Sequence, residues 1–507
     1  MTPAHATLAA PSDNCGILVS PSRPGTLARR TADAPLTADP KFCDVALSEW
    51  RRSLRRALNL GGPLIVSGHQ AEFFHAGVFA KALAARQIAN RLGGEALWLT
   101  VDSDLPKSAD FALPTRAPEG RIERRRLALP AVDTQLATRW QPKVPAAVWR
   151  DFFAEVTRRS AVGSTHALRT YEDAFLRDDR PALDFCDAIE RGNAALEQLC
   201  GVEPCRTLRI SALAQQRAFC AFVAEIARHA HRFATDYNTA QAEYRRRHKV
   251  RNAARPAPPL EIADRRVELP FWLQPTGADR RRLHVEAHHD AIVLYSDAEP
   301  VSEFAAHGPV SAALVPAGWE LDPRALTLSA FARLFLADAF IHGIGGAKYD
   351  EMTDLFLDAH FGTRGAPVVC VTATLRIAQE LAPPAPPPDE TQRSLRELHH
   401  NPQRRWPEAP ASLLAEHQAA IQQVLRLRAE DRLNRAARRA AHLALRDVLT
   451  RVAAAAAPRR AALQSAALAA ERLARQVEAA LDREYFYALA RESDLLMIAA
   501  RLKRIED

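Results

Sequence analysis

Long apolar runs are missing from this chain of 507 residues. Stretches such as Val452 to Ala457 are among the longest, far below the roughly 20 residues that span a bilayer, so no membrane helix is expected. The first thirty residues have no basic start followed by an apolar block, and Pro3, Pro11, Asp13, Pro21 and Pro24 interrupt them, so no secretion signal is expected either. Seven cysteines, Cys15, Cys43, Cys186, Cys200, Cys205, Cys220 and Cys370, include no CxxC pair, which points to reduced thiols and a cytoplasmic location. None has a histidine neighbour placed to activate it as a nucleophile. Excess charge is small. A net charge of +8 comes mostly from arginine runs at 121–126, 245–251 and 280–282, with almost no aromatics between them, so solvated faces rather than a nucleic-acid groove are expected. No internal repeat is present.

What remains is an ordinary globular composition, 48% apolar and 25% charged, in a chain too long for one hydrophobic core. Residues 1–45 carry prolines without sustained periodicity and read as an extended leader. Residues 46–382 read as an α/β core. Leu64-Ile65-Val66 between glycines predicts a buried strand, and Val78, Ala82, Ala85, Ile88, Ala89 and Leu92 predict a helix that Gly93-Gly94 stops. Ala96 to Val101 predicts a second, parallel strand. Helical periodicity over about 143–260 reads as an insertion. Short strands are expected around Phe271 to Leu273, Leu283 to Val285 and Ile292 to Leu294. A helix over Ala330 to Ala339, the run Phe340 to His342, a helix from Lys348 to His360 and a strand over Val368 to Val371 complete the core. Residues 383–507 read as a proline-rich linker, Pro383 to Pro388, and a helical coiled-coil hairpin. Its stripes are Leu433, Ala437, Ala440, Ala444 and Val448, then, past Pro458, Leu463, Ala467, Ala470, Leu473, Val477 and Leu481.

Three clusters are candidates for chemistry. Gly68, His69, Gln70, His75, Gly77 and Lys81 lie where a strand ends and a helix begins, the place where open α/β sheets bind ligands. A helix starting near His75 offers free amides to a phosphate or carboxylate, with His69 and His75 to stabilise its charge. The structural alternative is that the histidines cap the helix or satisfy buried carbonyls. Asp102 and Asp104 end the next strand, and alternation on an extended chain would point both into the same cleft, to position an amine, bind a metal or act as a base. The alternative is a turn or cap before Pro106. His342, Gly343, Gly345, Gly346, Lys348, Tyr349 and Asp350 form a second glycine-rich turn before a helix. It lacks both GxGxxG spacing and a P-loop ending, yet its amides and Lys348 could cradle an anion. An ordinary tight turn is the alternative. A fourth stretch, Tyr237 to Lys249 and Glu268 to Trp272, mixes cations with aromatics that could hold a substrate carboxylate or phosphate, although a solvated helix end followed by a buried tryptophan is the favoured reading.

Gly68-His69-Gln70 with Gly77, Trp98 ahead of Asp102 and Asp104, the Gly345-Gly346 turn and the helical tail resemble the bacillithiol biosynthesis cysteine-adding enzyme family over most of residues 55–507. Members more usually read Gly-Gln-Gln at the first position and Glu-Asp-His-Asp near the second. The resemblance implies a Rossmann-like core with helical insertions, a C-terminal coiled coil that forms a homodimer, a bound ATP or ADP, and no metal. The activity it implies is a ligase or transferase step joining a cysteine-like amine to a small carboxylate or sugar-derived acceptor through a phosphate-activated intermediate. His69, His75, Asp102 and Asp104 would then be catalytic. The histidine-bearing loop also looks like the nucleotide loops of class I synthetase-like transferases. The other reading is a non-catalytic ligand-binding or dimeric scaffold protein that keeps a core cleft.

Overall fold

The computed structural model describes residues 8–33, 38–106, 110–176, 181–252, 257–310, 313–384, 390–406, 408–431 and 433–505. The chain divides into two compact units, one of residues 1–116, 124–377 and 482–507, the other of 117–123 and 378–481.

The first unit is built on a six-stranded sheet of β1 (Gly16–Ser20), β2 (Leu64–Gln70), β3 (Glu95–Val101), β4 (Arg206–Arg209), β10 (Ala339–His342) and β11 (Val368–Thr374). Their order is β1-β11-β10-β2-β3-β4, and all pairs are parallel except β1 with β11. Side-chain alternation buries both faces. Ile65, Ala96 and Trp98 face one core, which also holds Phe79 and Leu83 of α1 (Ala76–Leu92). Leu64, Val66, Leu97 and Leu99 face the other, with Met352, Phe356 and Leu357 of α9 (Ile344–Phe361). From β2 the chain builds outward through β3 and β4 on one side, then returns to add β10 and β11 on the other. The loops after β2 and β10 therefore part company where the strand order reverses, and their helices pack on opposite faces. The expected stop of α1 is present, with Gly93 in the left-handed conformation at φ 63°.

Three expectations need correction. Residues 16–20 are not leader but an edge strand of the sheet, because β11 otherwise leaves its outer backbone groups unpaired. The segment 143–260 does supply helices, α2 (Ala146–Arg159), α3 (His166–Leu176), α4 (Phe185–Leu199), α5 (Ile210–Ala214), α6 (Arg217–Arg228) and α7 (Ala230–His248), but β4 within it belongs to the main sheet. The helix expected from Ala330 begins earlier, as α8 (Ala325–Phe331), and ends in a wider π turn at Leu336. The three expected short strands lie in β5 (Val267–Pro275), β6 (Arg282–Ala287) and β7 (Ala291–Ser296), and β8 (Glu299–Ala305) and β9 (Trp319–Pro323) complete an antiparallel sheet ordered β8-β7-β6-β5-β9.

The largest correction concerns the end of the chain. Residues 482–507 return to the first unit, where Tyr485 is buried and Phe486, Tyr487, Leu489 and, from α14 (Glu492–Lys503), Leu495, Ile498 and Leu502 fill the core around α1. The Tyr487 ring stacks on Phe79 at 4.4 Å and on Phe74 at 5.4 Å, and its hydroxyl donates to Asn193 Oδ1 at 2.8 Å.

The second unit is helical, with α10 (Glu390–His400), α11 (Ala411–Glu430), α12 (Arg435–Ala455) and α13 (Ala457–Ala480). The antiparallel partner of α12 is α11, since Arg451 near the end of one reaches Glu416 near the start of the other at 2.7 Å. Pro458 does not turn the chain back. It sits in the first turn of α13, where a missing N–H costs nothing. Ala441, Val448 and Val452 form the buried stripe of α12, while Leu433, Ala440 and Ala444 are exposed. Residues 385–388 of the expected proline-rich linker lie outside the described residues.

Candidate functional site

A cleft of about 840 Å³ opens at the carboxyl ends of β2, β3 and β10, at the reversal of strand order. It lies wholly within the first unit. Of the residues singled out in the sequence, Gly68, His69, Gln70, His75, Gly77, Lys81, Asp104, His342, Gly343, Gly345 and Gly346 line it, whereas Asp102, Lys348, Tyr349 and Asp350 do not.

The loop after β2 places the first group. His75 is the N-cap of α1, and its Nδ1 accepts from the Gly77 N–H at 3.0 Å. Burial, then the charges of Arg483 and Lys81, pull its pKa down to about 4. The ring is therefore neutral near pH 7, with its proton on Nε2, which faces Glu484 Oε2 at 3.5 Å. His75 therefore caps the helix, the structural alternative, and offers a neutral donor on Nε2. The His69 ring meets Phe74 edge-on at 5.7 Å and places Nδ1 3.2 Å from the Gln70 carbonyl oxygen.

Lys81, six residues beyond His75 on α1, is 5% exposed. Its Nζ donates to the Gly68 carbonyl at 2.6 Å and lies 5.2 Å from the centre of the Trp98 ring. Burial lowers its pKa to about 7. Gly77 must be glycine for packing, because a Cβ there would fall 2.5 Å from Thr372 Oγ1 and 2.9 Å from Arg483 Nη2.

The two aspartates after β3 part ways. The strand ends at Val101 and the chain bends, so the alternation expected of an extended segment no longer holds. Asp102 is fully buried and turned away, accepting from the Ser211 N–H at 3.0 Å and from the Ser211 hydroxyl at the start of α5. Asp104 faces the cleft, where it meets Arg280 at 2.5 Å and accepts from Gln70 Nε2.

After β10 the turn residues again divide. Gly343 is the N-cap of α9, leaving its first amides free of any side-chain cap. His342 lies against Gly346, whose absent Cβ would stand 2.4 Å from His342 Nδ1. Asp350 points into the protein, paired with buried Arg333 at 2.7 Å and 3.7 Å from His342 Nε2. Burial alone would raise the Asp350 pKa, but the adjoining Arg333 guanidinium outweighs it and holds the carboxylate well below the usual range. Lys348 and exposed Tyr349 sit outside the cleft lining, because the helix has already turned them away from its N-terminal end.

Arg280, Arg324, Arg483 and Glu484 line the cleft but were not singled out, whereas Tyr237 and Trp272 belong to the fourth stretch, and Trp272 is half-buried on the cleft wall rather than buried. Arg280 and Arg324 approach the Trp272 ring at 5.4 and 4.2 Å, Arg324 also meets Glu268 at 2.8 Å, and Tyr237 closes the wall. Arg483 and Glu484 arrive with the returning C-terminal segment. Burial, then Asp482, raises the Glu484 pKa. Arg280 was read as part of a solvated run, and only its pairing, with Arg324, around an aromatic could have marked it. For the return of the chain, the run Tyr485-Phe486-Tyr487 directly after a polar helix was the available signal.

Metal-ligand types gather elsewhere. Among the described residues, Glu261, Glu268 and His284 hold donor atoms within 4.8 Å of one another. Arg282 at 2.8 Å from Glu261 and Arg324 at 2.8 Å from Glu268 already compensate these carboxylates, so the group is not a ready cation site. The main cleft instead combines Lys81, Arg280, Arg324 and Arg483 with two helix starts, against Asp104 and Glu484, which favours an anionic ligand. Comparison with protein-family models finds none that matches this chain, and no match is found among curated proteins.

Proposed function

We propose that the cleft binds a phosphate-activated carboxylate and joins it to an amine. The protein is then a carbon–nitrogen ligase or transferase of the bacillithiol cysteine-adding kind on a Rossmann-like core, using ATP or ADP. One observation carries this: α1 and α9, helices of 17 and 18 residues, both begin at the same cleft from the ends of neighbouring strands. Two positive helix ends and the cations beside them suit phosphoryl oxygens, and the strand order is that of doubly wound nucleotide-binding sheets. Asp104 and Glu484 are the carboxylates placed to hold an incoming ammonium group. The Nε2–H of His75 serves as a neutral donor beside His69, and electrostatic positioning of this kind is the main catalytic contribution expected.

Calorimetric titration of ATP, ADP and AMP tests the reading. Arg280→Met and Arg483→Met should each weaken nucleotide binding about tenfold or more, the loss of a charge-assisted hydrogen bond worth ~1.5 to 3 kcal/mol. No nucleotide binding by the wild type would remove the nucleotide-dependent activation of the carboxylate. The antiparallel pair α11–α12 supports the coiled-coil reading, and exposed Leu425, Leu433, Leu443 and Leu468 support a homodimer through these helices. Sedimentation as a monomer at all concentrations would remove the dimer.

A further inference from the structure

We infer that Lys81 is a nucleophilic amine and that the cleft takes a small anionic aldehyde or ketone, which Lys81 captures as an imine. The inference goes beyond the proposed ligase chemistry and does not require a nucleotide. Three features of position carry it. Lys81 is the only buried lysine among the described residues, yet it lines the cleft. Among the described residues its hydrogen-bond partner is an uncharged carbonyl, that of Gly68, and no carboxylate forms an ion pair with it. A buried ammonium without a counter-ion is costly, so the amine sheds its proton readily. The lowered pKa agrees: near neutral pH a large share of Lys81 is the free amine, which donates one N–H to Gly68 and keeps its lone pair.

The groups around this amine suit an anionic carbonyl compound. His75 on the same helix is neutral near pH 7, and His69 and His342 lie on the neighbouring loops. Arg280, Arg324 and Arg483 provide charge for a phosphate or carboxylate on the ligand. The acids facing the space are Asp104, held by Arg280, and Glu484, raised by burial. With the anion held at the helix starts, the carbonyl carbon is left for the amine nitrogen. Nitrogen attacks that carbon, one amine hydrogen passes to the carbonyl oxygen, and the carbinolamine then loses water that carries off the second. The product is a C=N bond, with no oxidant or reductant required.

The test uses the full-length protein and pyridoxal 5′-phosphate as the probe. The protein is incubated with substoichiometric probe at pH 7.5, reduced with borohydride and digested, and the label is mapped over the chain's seven lysines by mass spectrometry. Lys81 should carry at least tenfold more label than any other lysine. Labelling should rise through about pH 7 rather than about pH 10, and pyridoxal, which lacks the phosphate, should label at least tenfold less. Label spread over several lysines, or an unlabelled Lys81, overturns the inference. Because the mapping is done on the wild type, a misfolded variant cannot obscure it. Lys81→Arg, which has no amine able to form an imine, should lose the label, and equal labelling of that variant also overturns the proposal. Nucleotide titration is scored separately, so this inference and the ligase reading can fail independently.

Discussion

The Asp102 carboxylate and the backbone N–H of Ser211 lie 3.0 Å apart, and the Ser211 hydroxyl bonds the same carboxylate. Asp102 is fully buried, and this contact ties the end of β3 to the start of α5 and gives Asp102 a structural task. Asp102→Ala should lower unfolding stability by ~1 to 3 kcal/mol, since it leaves the half-buried Ser211 donors without their acceptor. Anion affinity in the cleft should stay the same. Asp104→Ala should behave in the opposite way, barely moving stability and strengthening phosphate binding about two- to tenfold, because a negative charge leaves the cleft and Arg280 is freed. Urea melts and phosphate titration on both variants check the pair.

Neighbouring glycines at the second helix start should respond differently. A Cβ at Gly345 meets nothing within 4 Å, so Gly345→Ala should be neutral or stabilise α9 by up to ~1 kcal/mol. A Cβ at Gly346 would lie 2.4 Å from His342 Nδ1 and must displace that ring. Gly346→Ala should therefore shift the His342 signal in a histidine NMR spectrum and weaken anion binding, while Gly345→Ala does neither.

Stability should fall as pH rises through the weakly acidic range because of Glu197. Burial raises its pKa from 4.5 to about 7, even though the carboxylate accepts from the Cys205 N–H at 3.0 Å. Between these values the folded chain holds a proton that the unfolded chain has lost, so folding weakens with rising pH and levels off above about 7. Glu197→Gln should flatten that part of the curve in denaturant melts at a series of pH values.

The C-terminal segment should be needed for folding, unlike the helices before it. Removing residues 482–507 strips Phe486, Tyr487, Leu495 and Ile498 from the core, and each large apolar loss costs ~2 to 5 kcal/mol. That truncation should be unfolded by circular dichroism. Excising 378–481 and bridging the gap with a flexible linker should leave a cooperative melt for the first unit.

Local pattern alone identified the β2–α1–β3 unit and its stop at Gly93, because apolar alternation, helical spacing and a left-handed glycine all act over a few residues. It also located both glycine-rich turns that border the cleft, since a strand end followed by glycine and a helix is a local arrangement. What the sequence could not determine by itself was where side chains go once regular structure ends. Asp102 and Asp104 are two residues apart, yet a bend after Val101 sends one to Ser211 and the other to Arg280. Nor could spacing reveal that Arg280, Arg324 and Arg483, contributed from distant parts of the chain, meet Lys81 and His75 at one cleft. Their charge is brought together by sheet order and by the burial of Tyr485 to Tyr487, and such contacts form only when segments hundreds of residues apart pack against a common core.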